Sequence, residues 1–173
     1  DKGDKLALVV PDAEEFILTF IAATTVGIVP VPMYPPMSFG KLDSYVDTAE
    51  NILGAADAKV LLTDARVQAI LWSLVDKVPT LERILTIDKL EGEAPAGLVR
   101  PEVQADDTVF LQFTSGSTSL PKGVVVTHKT LAANLHAIMG PGLEMVPGED
   151  VTVSWLPLYH DMGLIGMMLA PLV

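Results

Sequence analysis

Ten consecutive residues, Thr114-Ser115-Gly116-Ser117-Thr118-Ser119-Leu120-Pro121-Lys122-Gly123, carry five hydroxyl side chains, two glycines and one lysine. That is an inventory for holding a polyphosphate. Glycines let the backbone approach, N–H groups and hydroxyls donate to anionic oxygens, and the lysine supplies charge. The same residue types build ordinary turns, so a flexible hairpin loop between two strands is the competing reading of this composition. The stretch is not a Walker loop, which needs Gly-Lys-Ser/Thr opening a helix. Here Pro121 precedes the lysine, Gly123 follows it, and the next element reads as a strand.

A second stretch, Val153-Ser154-Trp155-Leu156-Pro157-Leu158-Tyr159-His160-Asp161-Met162-Gly163-Leu164-Ile165-Gly166, places an imidazole between a phenol and a carboxylate. Judged by residue type alone, His160 is a packed, hydrogen-bonded side chain and Asp161 caps a helix starting at Met162. His128 and His136 belong to a helix after Val126, at its start or on its surface, with no function assigned. Glu14-Glu15 and Asp106-Asp107 read as solvated charges. No carboxylate pair has a partner element that would fix the separation a hydrolase needs.

The rest of the chain bounds what these residues can serve. Its 173 residues are 50% hydrophobic, 19% charged and 6% aromatic. That is enough apolar material for the core of one ordinary domain. Lys and Arg number 11 against 22 Asp and Glu, a formal net charge of −11. Such a chain repels phosphate backbones and anionic lipid, which argues against nucleic acid and membrane surfaces as partners. There is no cysteine, hence no disulfide, thiolate metal site or cysteine nucleophile. Residues 16–31 and 155–173 are apolar, but Thr, Gly and Pro interrupt the first and His160-Asp161 the second, so no membrane span is expected.

The elements that must position the two stretches follow from periodicity. Strands are expected at 5–10, 28–31, 58–63, 83–87, 108–113 and 124–126, the second at a sheet edge because of Pro30 and Pro32. Asp12 and Glu15 form a capping-box signature for a helix ending near Gly27. Apolar spacing predicts helices over 41–56 and 64–75, the latter burying Val67, Ile70, Leu71, Leu74 and Val75 on one side. Thr127 can cap a helix from His128 to about Met139. Helices linking strands favour crossover units and a mainly parallel sheet. Residues 90–106, with Gly92, Pro95, Gly97 and Pro101, read as a connecting loop. The fold class is α/β, with residues 1–106 a βα scaffold and 107–173 the start of a second subdomain. The apolar run after Gly163 is read mainly as core, with an acyl-pocket wall as the other option.

The order Thr-Ser-Gly-Ser-Thr-x-x-Pro-Lys-Gly resembles the phosphate-binding signature of the adenylate-forming superfamily, which includes acyl-CoA synthetases, nonribosomal-peptide adenylation domains and luciferases. Ser119 departs from it, since most members have glycine there. Trp155-Leu156-Pro157-Leu158-Tyr159-His160-Asp161-Met162-Gly163-Leu164-Ile165-Gly166 is similar to a later motif in its fatty acyl-AMP ligase branch. So are Val29-Pro30-Val31-Pro32-Met33-Tyr34-Pro35-Pro36 and Leu111-Gln112-Phe113. The motifs keep the family's order across residues 5–166.

The resemblance implies the first part of the large N-terminal domain of such an enzyme. It implies activation of a fatty acid with ATP and Mg2+ to an acyl-adenylate, releasing pyrophosphate. The acyl group would pass to an acyl carrier protein or carrier domain, often on a polyketide or peptide synthase. Thr114, Ser115, Gly116, Ser117, Thr118, Lys122 and Gly123 would hold the phosphates, with Lys122 also catalytic. Tyr159, His160, Asp161 and Gly163 would line the substrate pocket, with His160 at the junction of the acyl and ATP sites. No metal ligand is assigned in this stretch. A fatty acyl-CoA ligase and a non-catalytic nucleotide-binding module are the alternatives. The abrupt ends at Asp1 and Val173 lead us to expect a piece of a longer protein, inactive alone. Without a targeting signal in the sequence, a cytoplasmic location is expected.

Overall fold

The computed structural model describes residues 1–36, 42–90, 97, 100–114, 121–146 and 148–172. A parallel sheet forms its centre. Strands β1 (Lys5–Val9), β2 (Val29–Pro32), β3 (Ala58–Thr63) and β4 (Arg83–Thr86) lie in the order β2-β1-β3-β4. Between them run helices α1 (Ala13–Thr25), α2 (Leu42–Ala56), α3 (Ala65–Leu71) and α4 (Leu74–Lys77). Parallel strands require such crossovers.

Strand β1 shows why the sheet is covered on both sides. Ala7 and Val9 point to one face, Leu8 and Val10 to the other, and all four are buried. On the first face Ala7, Val9, Val31 and Leu61 pack with Tyr45, Ile52 and Leu53 of α2, Leu71 of α3 and Leu74 of α4. On the second, Leu8, Val10 and Leu62 meet Phe16 and Phe20 of α1, together with Phe110, Leu164 and Met168 from far along the chain. The Phe20 and Phe110 rings meet edge-on with centroids 5.7 Å apart. This second cluster therefore draws on residues from both sides of the connecting stretch 90–106.

Local chemistry sets the element ends. The Asp12 carboxylate accepts the Glu15 N–H at 3.0 Å, and Asp64 accepts that of Val67 at 2.7 Å. Gly27 follows α1 at φ +72°, the left-handed conformation that glycine takes without penalty. Strand β2 donates to β1 through alternate residues: Val29 N–H to Asp4 at 2.8 Å and Met33 N–H to Leu8 at 2.9 Å. Pro30 and Pro32 fall on the opposite side, where they offer no donor.

After a four-residue helix, α5 (Ile87–Leu90), the chain reaches β5 (Thr108–Thr114), β6 (Lys122–Thr127) and α6 (His128–Ala137). Strand β5 packs beside β2 but forms no ladder with it, as the missing proline donors dictate. It pairs antiparallel with β6 instead. The expectation of a mainly parallel fold thus holds for the four-stranded sheet, while β5 and β6 pair antiparallel. Thr127 starts α6 with a capping box: its side chain accepts the Thr130 N–H at 3.2 Å while the Thr130 hydroxyl takes the Thr127 N–H at 3.0 Å.

Three helical expectations are corrected. The helix expected over 64–75 breaks after Leu71 and resumes at Leu74, leaving Val75 exposed rather than buried. The helix expected to reach Met139 ends at Ala137 and widens into a π-turn, Ile138–Gly142, around Pro141, which has no N–H to donate. The apolar run after Asp161 winds as a π-helix, Met162–Leu169, followed by a 3-10 turn, Ala170–Leu172. Leu164, Met168 and Ala170 are buried, so the run serves largely as core. No helix among the described residues is long and apolar enough to cross a membrane.

Candidate functional site

Ser115, Gly116, Ser117 and Thr118 of the expected phosphate loop lie outside the described residues. Its two ends are fixed by the hairpin ladder, which sets Thr114 opposite Lys122 and Phe113 opposite Gly123. Side chains directly opposite across an antiparallel pair share a face, and so do alternate residues along a strand. Gln112, Thr114 and Lys122 therefore project to one side, with Thr114 and Lys122 exposed at the mouth of the hairpin. A Cβ at Gly123 would lie 2.9 Å from the Phe113 ring, so glycine lets that ring cross the hairpin's other face.

Lys122, like Lys5 and Lys89, makes no ion pair among the described residues, whereas Lys2, Lys59, Lys77 and Lys129 each hold a carboxylate. In a chain of net charge −11 an unpaired ammonium next to hydroxyls remains free to meet an anion.

The second stretch forms a tight turn ahead of the π-helix. The His160 N–H donates to the Pro157 carbonyl at 3.1 Å, and the Leu164 N–H to the His160 carbonyl at 2.8 Å. The Asp161 carboxylate oxygen Oδ1 takes both the Met162 N–H at 2.7 Å and His160 Nδ1 at 2.6 Å. Asp161 thus caps the helix, as its position suggests, and also orients the imidazole. The His160 side chain is 67% exposed, which corrects the reading of it as a packed residue. Tyr159 is half-buried, and its role in the turn runs through its backbone carbonyl.

Gly163 sits where the π-helix crosses this turn. A Cβ there would lie 2.2 Å from the Pro157 carbonyl oxygen and 3.2 Å from that of Leu156. Glycine is required by backbone packing at this position, apart from any part in a pocket.

The hairpin and the turn are tied together by Gln112. Its side-chain Nε2 donates to the Tyr159 carbonyl at 3.1 Å, across 47 residues of sequence. Gln112 is only 7% exposed, and its Oε1 has no partner among the described residues. The sequence reading passed over this residue as a catalytic or binding candidate. The signal for it is a polar side chain at an inward position of a strand, two residues from the loop.

Elsewhere, His128 is half-buried at the start of α6 and His136 is exposed near its end, apart from this turn. A cavity of about 630 Å3 lies at the opposite end of the sheet, lined by Leu6, Ala22, Val60, Leu62, Leu85 and the Asp4–Lys59 ion pair, among others. No group of three or more His, Cys, Asp or Glu among the described residues is arranged to hold a metal ion.

A family model described as AMP-binding enzyme matches residues 1–173. A protein of Caulobacter vibrioides named as a putative acyl-CoA synthetase is 36% identical over 170 residues, covering 98% of this chain and 29% of that protein. A long-chain fatty-acid–AMP ligase of Mycobacterium marinum is 34% identical over 177 residues, covering 99% and 30%. A solved structure from a study of fatty acyl-adenylate ligases of E. coli and L. pneumophila aligns with a TM-score of 0.90 at 35% identity, over 99% of this chain and 30% of that one. The fatty acyl-adenylate ligase of L. pneumophila, solved with acyl adenylate and pyrophosphate, aligns with a TM-score of 0.83 at 30% identity, over 99% and 28%. The chain spans about 30% of the length of the relatives it matches.

Proposed function

We propose that this chain, which belongs to the family of AMP-binding enzymes, contributes the phosphate-binding hairpin and part of the acyl site to a fatty acyl-AMP ligase. In the reaction a fatty carboxylate oxygen attacks the α-phosphorus of ATP. A new P–O bond joins acyl and adenylate, the bond to the β-phosphate breaks, and pyrophosphate leaves. Such a step needs little covalent help from the protein. It depends on holding the reactants in line and neutralising the charge on the leaving phosphates.

The observation that carries the reading is the exposed, unpaired Lys122, set opposite Thr114 by the ladder and on the same face as the residue that holds the His160 turn. Lys122 and the hydroxyls would donate to the β- and γ-phosphates, along with Ser115, Gly116, Ser117, Thr118 and the Gly123 backbone. His160, oriented by Asp161, would present Nε2 to the acyl carboxylate end, with Tyr159 and Gly163 shaping the turn around it. The described residues offer no resident metal cluster. Mg2+ would offset the charge of the phosphates, with no ligand to it assigned in this segment. The acyl group would then move to the phosphopantetheine thiol of an acyl carrier protein: the sulfur bonds to the acyl carbon and AMP departs.

The test is fatty-acid-dependent ATP–pyrophosphate exchange by the full gene product. No exchange with fatty acids of any chain length would sink the reading. The 36% identity to a protein named as a putative acyl-CoA synthetase favours a second reading, with coenzyme A as acceptor. Offering coenzyme A and a carrier protein in parallel separates the two. We infer that the 173 residues alone do not turn over, and acyl-adenylate formed by them in isolation would overturn that.

A further inference from the structure

We propose that Gln112 is a positioning residue that keeps the phosphate-binding hairpin and the His160 turn in a fixed relation. The proposal rests on the acyl-adenylate reading above for its effect on activity, but not for its geometry. Gln112 lies on β5 two residues before Thr114 and faces the same side as Thr114 and Lys122. Its amide donates to Tyr159 O at 3.1 Å. Every other hydrogen bond given above for the turn is internal to residues 157–164. Among the described residues, the Gln112 bond is therefore the one hydrogen bond that joins the hairpin to the turn, beside the apolar packing of Val109, Phe110 and Val126 with Leu158 and Leu164.

The surroundings argue against a stabilising role. Gln112 is 7% exposed, its neighbour on the same face of β5 is the fully buried Phe110, and its Oε1 is unpartnered among the described residues. An unpaired buried carbonyl oxygen is a cost that an apolar side chain of equal length would avoid. A residue that breaks the local packing rule while making one long-range bond to a candidate site marks a functional demand. The demand here is geometric. The exposed His160 and the exposed Lys122 have no direct bond to each other among the described residues, so their separation depends on the frame beneath them.

The test compares Gln112→Met and Gln112→Glu with the parent, in the full gene product. Met keeps the length without donor or acceptor, and Glu keeps the size but loses the N–H donor. In ATP–pyrophosphate exchange both variants should lower kcat roughly tenfold or more, because a misplaced reacting group loses rate rather than affinity. The KM for ATP should stay within about twofold. In a His160→Ala background the same changes should cost less than about threefold, since a residue that acts through His160 has nothing left to position. An equal fold-loss in both backgrounds overturns the proposal, as does an undiminished kcat.

A second measurement does not need turnover. The His160 imidazole resonance, assigned by its loss in His160→Gln, should move or broaden in Gln112→Met while those of His128 and His136 stay in place. An unmoved His160 signal, or equal movement of all three, overturns the proposal. If the parent shows no exchange with any fatty acid, the functional reading fails and the imidazole experiment decides alone.

Discussion

Gly163→Ala should be severe, and the structure says by how much. The new Cβ would lie 2.2 Å from the Pro157 carbonyl oxygen and 2.8 Å from its carbon. Reaching an ordinary carbon–oxygen contact requires about 1 Å of movement. Both sides of the contact are backbone, the π-helix Met162–Leu169 on one and the turn at Leu156–Pro157 on the other, so no rotamer can relieve it. Overpacking of this kind costs about 1–3 kcal/mol, and with backbone on both sides we expect about 3 kcal/mol. For a chain of this size that lowers Tm by about 6–12 °C. The control is Gly166→Ala in the same helix, where a Cβ meets nothing within 4 Å. Replacing a helical glycine at an open position should stabilise by about 0.5–1 kcal/mol, raising Tm by about 1–4 °C. Thermal melts followed by circular dichroism read both. Two variants that shift in the same direction, or a Gly163→Ala protein that melts with the parent, would refute the reasoning.

Other perturbations have quieter but distinct signatures. Lys122→Met removes an exposed, unpaired cation, so the melt should not move. The KM for ATP in pyrophosphate exchange should rise by about 10- to 150-fold, the worth of one charge-assisted hydrogen bond, and an unchanged KM would remove Lys122 from the phosphate site. The Gln104 N–H and then the Lys2 ammonium hold the Asp107 carboxyl below its ordinary value. A carboxyl depressed by folding adds stability above its unfolded value of about 3.9, and that stability fades as pH falls through the folded one. Asp107→Asn should therefore flatten the loss of Tm below about pH 4, and an identical acid limb would contradict the assignment. Thr127→Ala removes the side-chain acceptor of the Thr130 N–H in the capping box of α6 and should cost about 1 kcal/mol, a Tm shift of about 2–4 °C, with a null result in the melt counting against the cap.

The parallel sheet was legible because its signals are local. Leu6–Val9 and Val60–Leu62 are short apolar runs, and Pro30 and Pro32 mark β2 as a strand with one usable edge. Periodicity misled at Val75 because apolar spacing continues across a break in the helix at Trp72-Ser73 that no glycine or proline announces. The π-helix was hidden for a related reason. An apolar run such as Met162–Leu169 fits several helical pitches, and composition alone does not choose among them. At the site, Thr114, Lys122, His160 and Asp161 stood out by type and motif. Gln112 stood inside a motif without a role assigned to it, because its partner is a backbone carbonyl 47 residues away, and a carbonyl has no letter in a sequence.

The face shared by Gln112, Thr114 and Lys122 has a consequence for how this segment can change length. Strand side chains alternate with a period of two, so one residue inserted within β5 between Gln112 and Thr114 would turn Thr114 to the opposite face. The same insertion within β6 would send Lys122 across the hairpin from its partner. An insertion between Thr114 and Lys122 leaves the ladder Thr114↔Lys122 untouched. Among related sequences, gaps and additions should therefore be absent from the two strands that flank these positions, whatever the residues themselves become.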